Sequence, residues 1–338
     1  RLLSKSVNKR LSLLIQKNRS MIIDFKPLSK EKEKPFYNGA ELIQRDIETL
    51  PTLVDPIFPA CGSIAIAGSS DLGKSTLLRQ FALAVAIGDK TFLDWKLNTN
   101  HQRAIYISTE DDKDQITISL KTFNKKRNLS KEKYEGVTFL FVIEDLVSTL
   151  RNLLIKNPID VLIMDAFLDV YPGVMNDGGQ VRRFITEYDQ LAKEFGFLLI
   201  FNHHAGKRTQ MFAPSKDNLL GSQSFEARMR LVIEMRRDLV DDKRLHLCIV
   251  KGNYLPPEYK LESYIIEADE NRYFTNTGER GLFEDLREAI KEKKDLKKLC
   301  WDLKDEDKTN REIEIELRSQ GYKISKSTVN RYLKEREE

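Results

Sequence analysis

The sequence predicts an α/β fold: a mostly parallel sheet covered by helices, finished by antiparallel strands, with a small helical domain behind it. Three observations carry this. From Cys61 onward, unbroken apolar runs of strand length alternate with amphipathic stretches of helix length, the pattern of a sheet buried on both faces. The later apolar runs follow one another without long helices between them, which suits antiparallel pairing. After NTGERG (276–281) the chain breaks and turns to charged, helix-forming sequence.

The strand candidates are SIAIA (63–67), AIYIS (104–108), TFLFVI (138–143), DVLIMD (160–165), FLLIF (197–201), RLVIE (230–234) and LHLCIV (245–250). The helix candidates between them are STLLRQFALAVAIG, DQITISLKTFNKK and GGQVRRFITEYDQLAKEFG. The last carries Val181, Phe184, Ile185, Tyr188 and Leu191 at helical spacing and stops at Gly196, a residue suited to a left-handed helix end. Residues 1–45 read as a loose arm and connector, 46–278 as the α/β domain and 282–338 as the helical domain. Met21 is a candidate native start, so residues 1–20 carry no argument.

A chain of 338 residues can bury one large core plus a small appendage. Its 41 % apolar and 32 % charged residues are those of an ordinary water-soluble protein. The net charge of +4 is compatible with nucleic acid but far too small to imply it. Cys61, Cys248 and Cys300 lie far apart, with no paired Cys or His spacing for zinc, so a reduced, cytoplasmic protein is expected. The longest apolar runs, such as FALAVAI (81–87), fall well short of the ~20 residues of a membrane span.

Residues 68–75, GSSDLGKS, fit the P-loop pattern Gly-x-x-x-x-Gly-Lys-Ser. Gly68 and Gly73 let the backbone wrap a phosphate, with Ser69, Ser70, Asp71 and Leu72 supplying N–H groups between them. Lys74 reaches the β- and γ-oxygens, Ser75 is placed to ligate Mg²⁺, and Thr76 contacts the α-phosphate. The cofactors expected are therefore ATP and Mg²⁺. DVLIMD is an apolar strand ending in an acid, and Asp165 is expected to hold the Mg²⁺ through water. In AIYISTEDD (104–112), Glu110 is placed to take a proton from, or orient, a water attacking the γ-phosphate, while Asp111 and Asp112 are alternatively helix caps. FLLIFNHHAGKR (197–208) ends a strand in Asn202-His203-His204. Adjacent strand residues face opposite ways, so one histidine is expected to sense the γ-phosphate, and His203 is preferred to His204.

The set GSSDLGKST, YISTEDD, VLIMD, MNDGGQVRRFITEYDQLAKEFGFLLIFNHHAGK and LLGSQSFEARMRLVIEM resembles the RepA-like branch of RecA-fold ATPases. That branch includes plasmid replicative hexameric helicases and ATPases of mobile elements and phages, and the resemblance covers roughly residues 40–275. It implies a RecA-like core, ATP hydrolysis at subunit interfaces and a homo-oligomer, often a ring of six. It also implies that Glu110 is the catalytic glutamate, Asp165 the Walker B acid and the histidine pair the sensor. The family supplies a basic finger to the neighbouring subunit's ATP. Lys251, in the turn KGNYLPPEY, is the candidate here, with Arg208 and Arg230 as substitutes because that turn has no arginine.

Two long loops, FLDVYPGVMNDGGQ (167–180) and GKRTQMFAPSKDNLLG (206–221), are suited to project into the channel of such a ring. The second carries Lys207, Arg208 and Lys216, which suit phosphate contacts with single-stranded DNA. At the tail, TNREIEIELRSQGYKISKSTVNRYL reads as two helices around a glycine turn, with Ile313, Leu317, Val329 and Leu333 inward. That is helix-turn-helix order. Lys326, Ser327, Thr328, Asn330, Arg331 and Lys334 would face outward, suited to duplex DNA. The leading function is an ATP-driven DNA helicase or mobile-element ATPase of replication or transposition. The alternative is a nucleotide-gated DNA-binding adaptor that loads other replication or transposition proteins without unwinding. A P-loop small-molecule kinase leaves Glu110 and the tail unexplained.

Overall fold

The computed structural model describes residues 36–141, 144–206, 212–220, 223–239, 241, 243–286, 288–320, 322 and 324–337. The chain divides into two units, 1–49 and 50–338. In the first, helix α1 (Gly39–Ile43) is closed by a capping box in which Asn38 and Glu41 each accept the other's backbone N–H.

The second unit is built on a nine-stranded sheet. Its strands are β3 (Gly62–Gly68), β6 (Ala104–Ser108), β7 (Val137–Leu140), β8 (Val161–Asp165), β9 (Leu198–His204), β10 (Leu231–Arg237), β11 (Arg244–Gly252), β12 (Glu262–Ala268) and β13 (Phe274–Leu282). Their order is β13-β12-β11-β10-β3-β9-β8-β6-β7. The six strands from β10 to β7 run parallel, and β11, β12 and β13 are antiparallel to their neighbours. Strands β3, β6 and β8 are buried along their whole length, as their unbroken apolar sequence requires. Strand β9 separates β3 from β8, so the polar end of β9 falls between the P-loop and Asp165. This mixed sheet fits a RecA-like P-loop core.

Each face of the sheet has its own core. On one face, helix α2 (Lys74–Ile87) buries Leu77, Leu78 and Phe81 against Ile64, Ile66 and Tyr106. The same core takes in a small antiparallel sheet of β1 (Thr52–Asp55), β2 (Phe58–Pro59), β4 (Thr91–Phe92) and β5 (Trp95–Leu97). On the other face, helices α4 (Leu146–Lys156), α5 (Phe167–Val170), α6 (Gly178–Phe195) and α7 (Gln223–Arg228) pack against Ile105, Leu162, Leu199 and Phe201. The α6 stripe is Val181, Ile185, Tyr188 and Leu191, and Gly196 ends the helix at φ 73°. Each such side chain contributes about 1.5–3 kcal/mol by leaving water. Helix α3 (Lys113–Arg127), by contrast, buries little beyond Ile116 and Phe123.

Residues 276–281 are not among the strand candidates. They lie inside edge strand β13, where Gly278 takes φ 78° and the pairing with β12 shifts register. A solvated, bulged edge strand lacks the apolar alternation that would announce it. Beyond it, helices α8 (Glu288–Asp305), α9 (Asn310–Ser319) and α10 (Lys326–Glu337) bury Leu296, Cys300, Leu303, Ile313, Leu317, Val329 and Tyr332 in a separate core. Thr309 and Glu312 form a capping box at α9, and Trp301 Nε1 donates to Tyr332 O at 2.7 Å.

Candidate nucleotide site

The P-loop follows from β3. Residues 69–73 turn between that buried strand and α2, whose N-cap is Gly73 at φ 75°. A side chain at Gly68 would meet Met235 O at 2.7 Å, so only glycine lets the strand end pass β10. No side chain caps α2. The positive end of this 14-residue helix is thus left to an anion. Ser70 and Asp71 are exposed, Leu72 is buried, and Ser69, Ser75 and Thr76 are half-buried. Lys74 is 5 % exposed, and its Nζ donates to Gly68 O at 3.0 Å and Ser69 O at 2.7 Å. Burial lowers its pKa, against the opposing charges of Asp165, Glu110 and Asp71.

Asp165 closes the far side. Ser75 Oγ donates to Asp165 Oδ1 at 3.2 Å. Asn202 Nδ2 donates to that same oxygen and to Ser75 Oγ at 3.3 Å. The Tyr106 hydroxyl donates to Asp165 Oδ2; burial, then the neighbouring Asp165 charge, holds the phenol protonated well beyond its usual range. Asp165 and Asn202 are 4 % and 3 % exposed, and Asn202 Oδ1 is buried without a partner. A hydroxyl and a carboxylate together, with an orphaned amide oxygen beside them, are hard oxygen donors that fit Mg²⁺.

Glu110 leaves the end of β6 with its side chain 54 % exposed, its Oε1 3.8 Å from His204 Nε2. Its acidic neighbours are occupied elsewhere. Asp112 caps α3, accepting from Asp114 and Gln115 N–H. Asp111 pairs with Arg79 of α2 at 2.6 Å. Thr109 hydrogen-bonds Asp165 O and Asp169, tying this loop to the end of β8. Sequence reasoning missed Asn202, Tyr106 and Thr109. The alternation of β9 was the signal for Asn202, since it shares a face with His204.

The preference for His203 is corrected. His203 is fully buried on the opposite face, against Phe167 and Phe225 with ring centroids 5.4 and 4.3 Å away. Burial pushes its pKa down to about 3. It is a neutral core residue, and His204 is the one beside Glu110. Lys251, expected to act on a neighbouring subunit's ATP, lies away from this chain's own P-loop. Its partner on β10 is Val232, at the strand start, whereas Lys74 follows the other end of the sheet. Its Nζ lies 2.8 Å from Glu226 Oε1. Arg230 lies at that same remote end, over Gly62.

Of the expected DNA contacts, Lys207 and Arg208 lie outside the described residues. Lys216 is half exposed and 3.9 Å from Glu226. On α10, Lys326, Ser327, Asn330, Arg331 and Lys334 are all exposed, and Asn330 Oδ1 accepts from Asn310 at 2.6 Å. Among the described residues, no helix is long and apolar enough to cross a membrane.

No curated protein matches the chain. Residues 31–210, just over half of it, match the family described as AAA domain. That stretch contains the P-loop, Glu110, Asp165, Asn202 and both histidines, and it points to nucleotide-dependent ATPase activity. The chain belongs to the AAA domain family of P-loop ATPases.

Proposed function

We propose that the protein is a Mg²⁺-dependent ATPase that couples hydrolysis to DNA, as a RepA-like helicase or mobile-element ATPase working as a homo-oligomer. The observation that carries the reading is the placement of Glu110 beside His204, at the strand ends that also hold Asp165 and Asn202. The triphosphate docks on the N-terminus of α2. Lys74 exchanges its two carbonyl acceptors for β- and γ-oxygens. Ser75 and Asp165 would hold the Mg²⁺, which when bound would neutralise phosphate charge. Glu110 takes a proton from water as the water oxygen bonds to the γ-phosphorus and the bond to the ADP oxygen breaks. Asn202, bonded to Asp165, senses departure of the γ-phosphate.

The DNA reading is supported by α10. Its apolar residues Val329 and Tyr332 are buried while Lys326, Arg331 and Lys334 stand in solvent, as in a helix laid along nucleic acid. The same helix favours the second reading, a nucleotide-gated adaptor, since a motor has no need of a duplex reader. The test is ATP turnover with and without single-stranded DNA, alongside unwinding of a forked duplex. A motor is expected to turn over faster with DNA and to separate strands. DNA-independent turnover without unwinding contradicts the helicase, and footprinting at one preferred duplex site would then favour the adaptor.

A further inference from the structure

The Glu234–Arg236 pair has no part in the chemistry above. Both side chains rise from β10 on the face opposite α2, at 1 % and 3 % exposure. Arg236 Nε and Nη2 donate to Glu234 Oε1 at 2.8 and 2.7 Å. Apolar residues of the same volume would hold a core as well or better, so stability is a weak reason for two charges here. Where their remaining hydrogen bonds go is more telling.

Glu234 accepts from Ser215 N at 2.9 Å and from Asn218 Nδ2 at 3.0 Å. Both donors belong to the loop that follows β9. Arg236 Nη1 donates to Phe212 O, in that loop, at 2.6 Å, and to Leu286 O at 3.3 Å. Leu286 is buried just before α8 begins. The same loop is bonded to the nucleotide end of β9: Leu220 N donates to His204 O at 3.1 Å, Ala205 bridges Leu219, and Gly206 N donates to Asn218 O at 2.9 Å. One buried pair thus holds both the loop that is bonded to the end of β9 and Leu286, at the entry to the C-terminal helices.

We propose that the Glu234–Arg236 pair couples the state of the nucleotide site to the C-terminal helices, through the loop at 212–220. The proposal rests on the reading of that site as an ATP site. A shift at the end of β9 moves Asn218 and Ser215, and the pair passes the displacement to Leu286.

The test is hydrogen exchange on the full chain, with and without adenylyl-imidodiphosphate and Mg²⁺. In the native protein the analogue is expected to slow exchange at 68–76 and 198–206 and to change it by about threefold or more at 283–300. The double variant Glu234→Gln with Arg236→Met removes both charges at similar volume. It is expected to keep the first two responses and lose the third. Asn218→Ala, at a half-buried position, is expected to do the same and carries the test should the double variant not fold. An undiminished response at 283–300 in the variants overturns the coupling. So does a native protein that responds at 68–76 but not at 283–300. Silence at 68–76 removes the ATP reading, and the coupling with it.

Discussion

The nucleotide end of the sheet and the C-terminal helices treat polar side chains in opposite ways. At the sheet, Lys74, Asp165 and Asn202 are buried to 5 %, 4 % and 3 % exposure, each bonded to another part of the site. In the helices the buried set is mainly apolar, Leu296, Leu303, Ile313 and Val329 among it, and Lys326, Arg331 and Lys334 stand outside. Buried, mutually bonded groups hold fixed positions and act on charge that develops during a reaction. Exposed cations on a packed helix can be replaced one at a time and still leave the helix folded. One region buries its polar groups and bonds them to one another; the other leaves its cations in solvent.

The comparison breaks most visibly at Lys74. Lys74→Ala is expected to lower ATP turnover by about 10²- to 10³-fold and to leave DNA affinity without nucleotide unchanged. Phosphate release and fluorescence anisotropy measure the two. Turnover within a few-fold of the native protein would remove the lysine from the site. A smaller effect of opposite kind is expected at the tail. Arg331→Ala with Lys334→Ala should weaken duplex binding by about tenfold and reduce the slope of log affinity against log salt by roughly 2. DNA-free ATPase should not move, and a parallel fall in it would merge the two regions.

The two histidines sharpen the contrast within the core itself. Burial lowers the pKa of His203 from its ordinary value of about 6.5 to about 3. A depressed group contributes stability above its unfolded pKa and loses it as pH falls toward the folded one. His203 is therefore expected to cost roughly 2 kcal/mol of stability between about pH 7 and pH 5. His203→Phe, read by denaturant unfolding at both pH values, should show a shallower loss by that amount. An identical slope would place His203 in solvent.

Much of this was legible in the residues themselves. The buried strands and α6 announced themselves through unbroken apolar runs and a clean helical stripe, and GSSDLGKS by its own chemistry. What escaped had weak local signal. Strands β1, β2, β4 and β5 are two to four residues long, too short for any period to show. Strand β13 was missed as a strand because it is a bulged edge. The two histidines are equivalent in composition, and only the phase of β9 distinguishes them. That phase was fixed by Asn202, whose amide is bonded to Asp165. Tyr106 looked like one more core aromatic until its hydroxyl was seen on the same carboxylate.

The most direct test of the hydrolytic reading is Glu110→Gln, with analogue binding and single-turnover ATP cleavage measured on the same preparation. Binding is expected to stay within about threefold of the native protein, and cleavage to fall by roughly 10²-fold or more. Cleavage at the native rate, or loss of binding along with it, would contradict the assignment of Glu110 as the group that readies water.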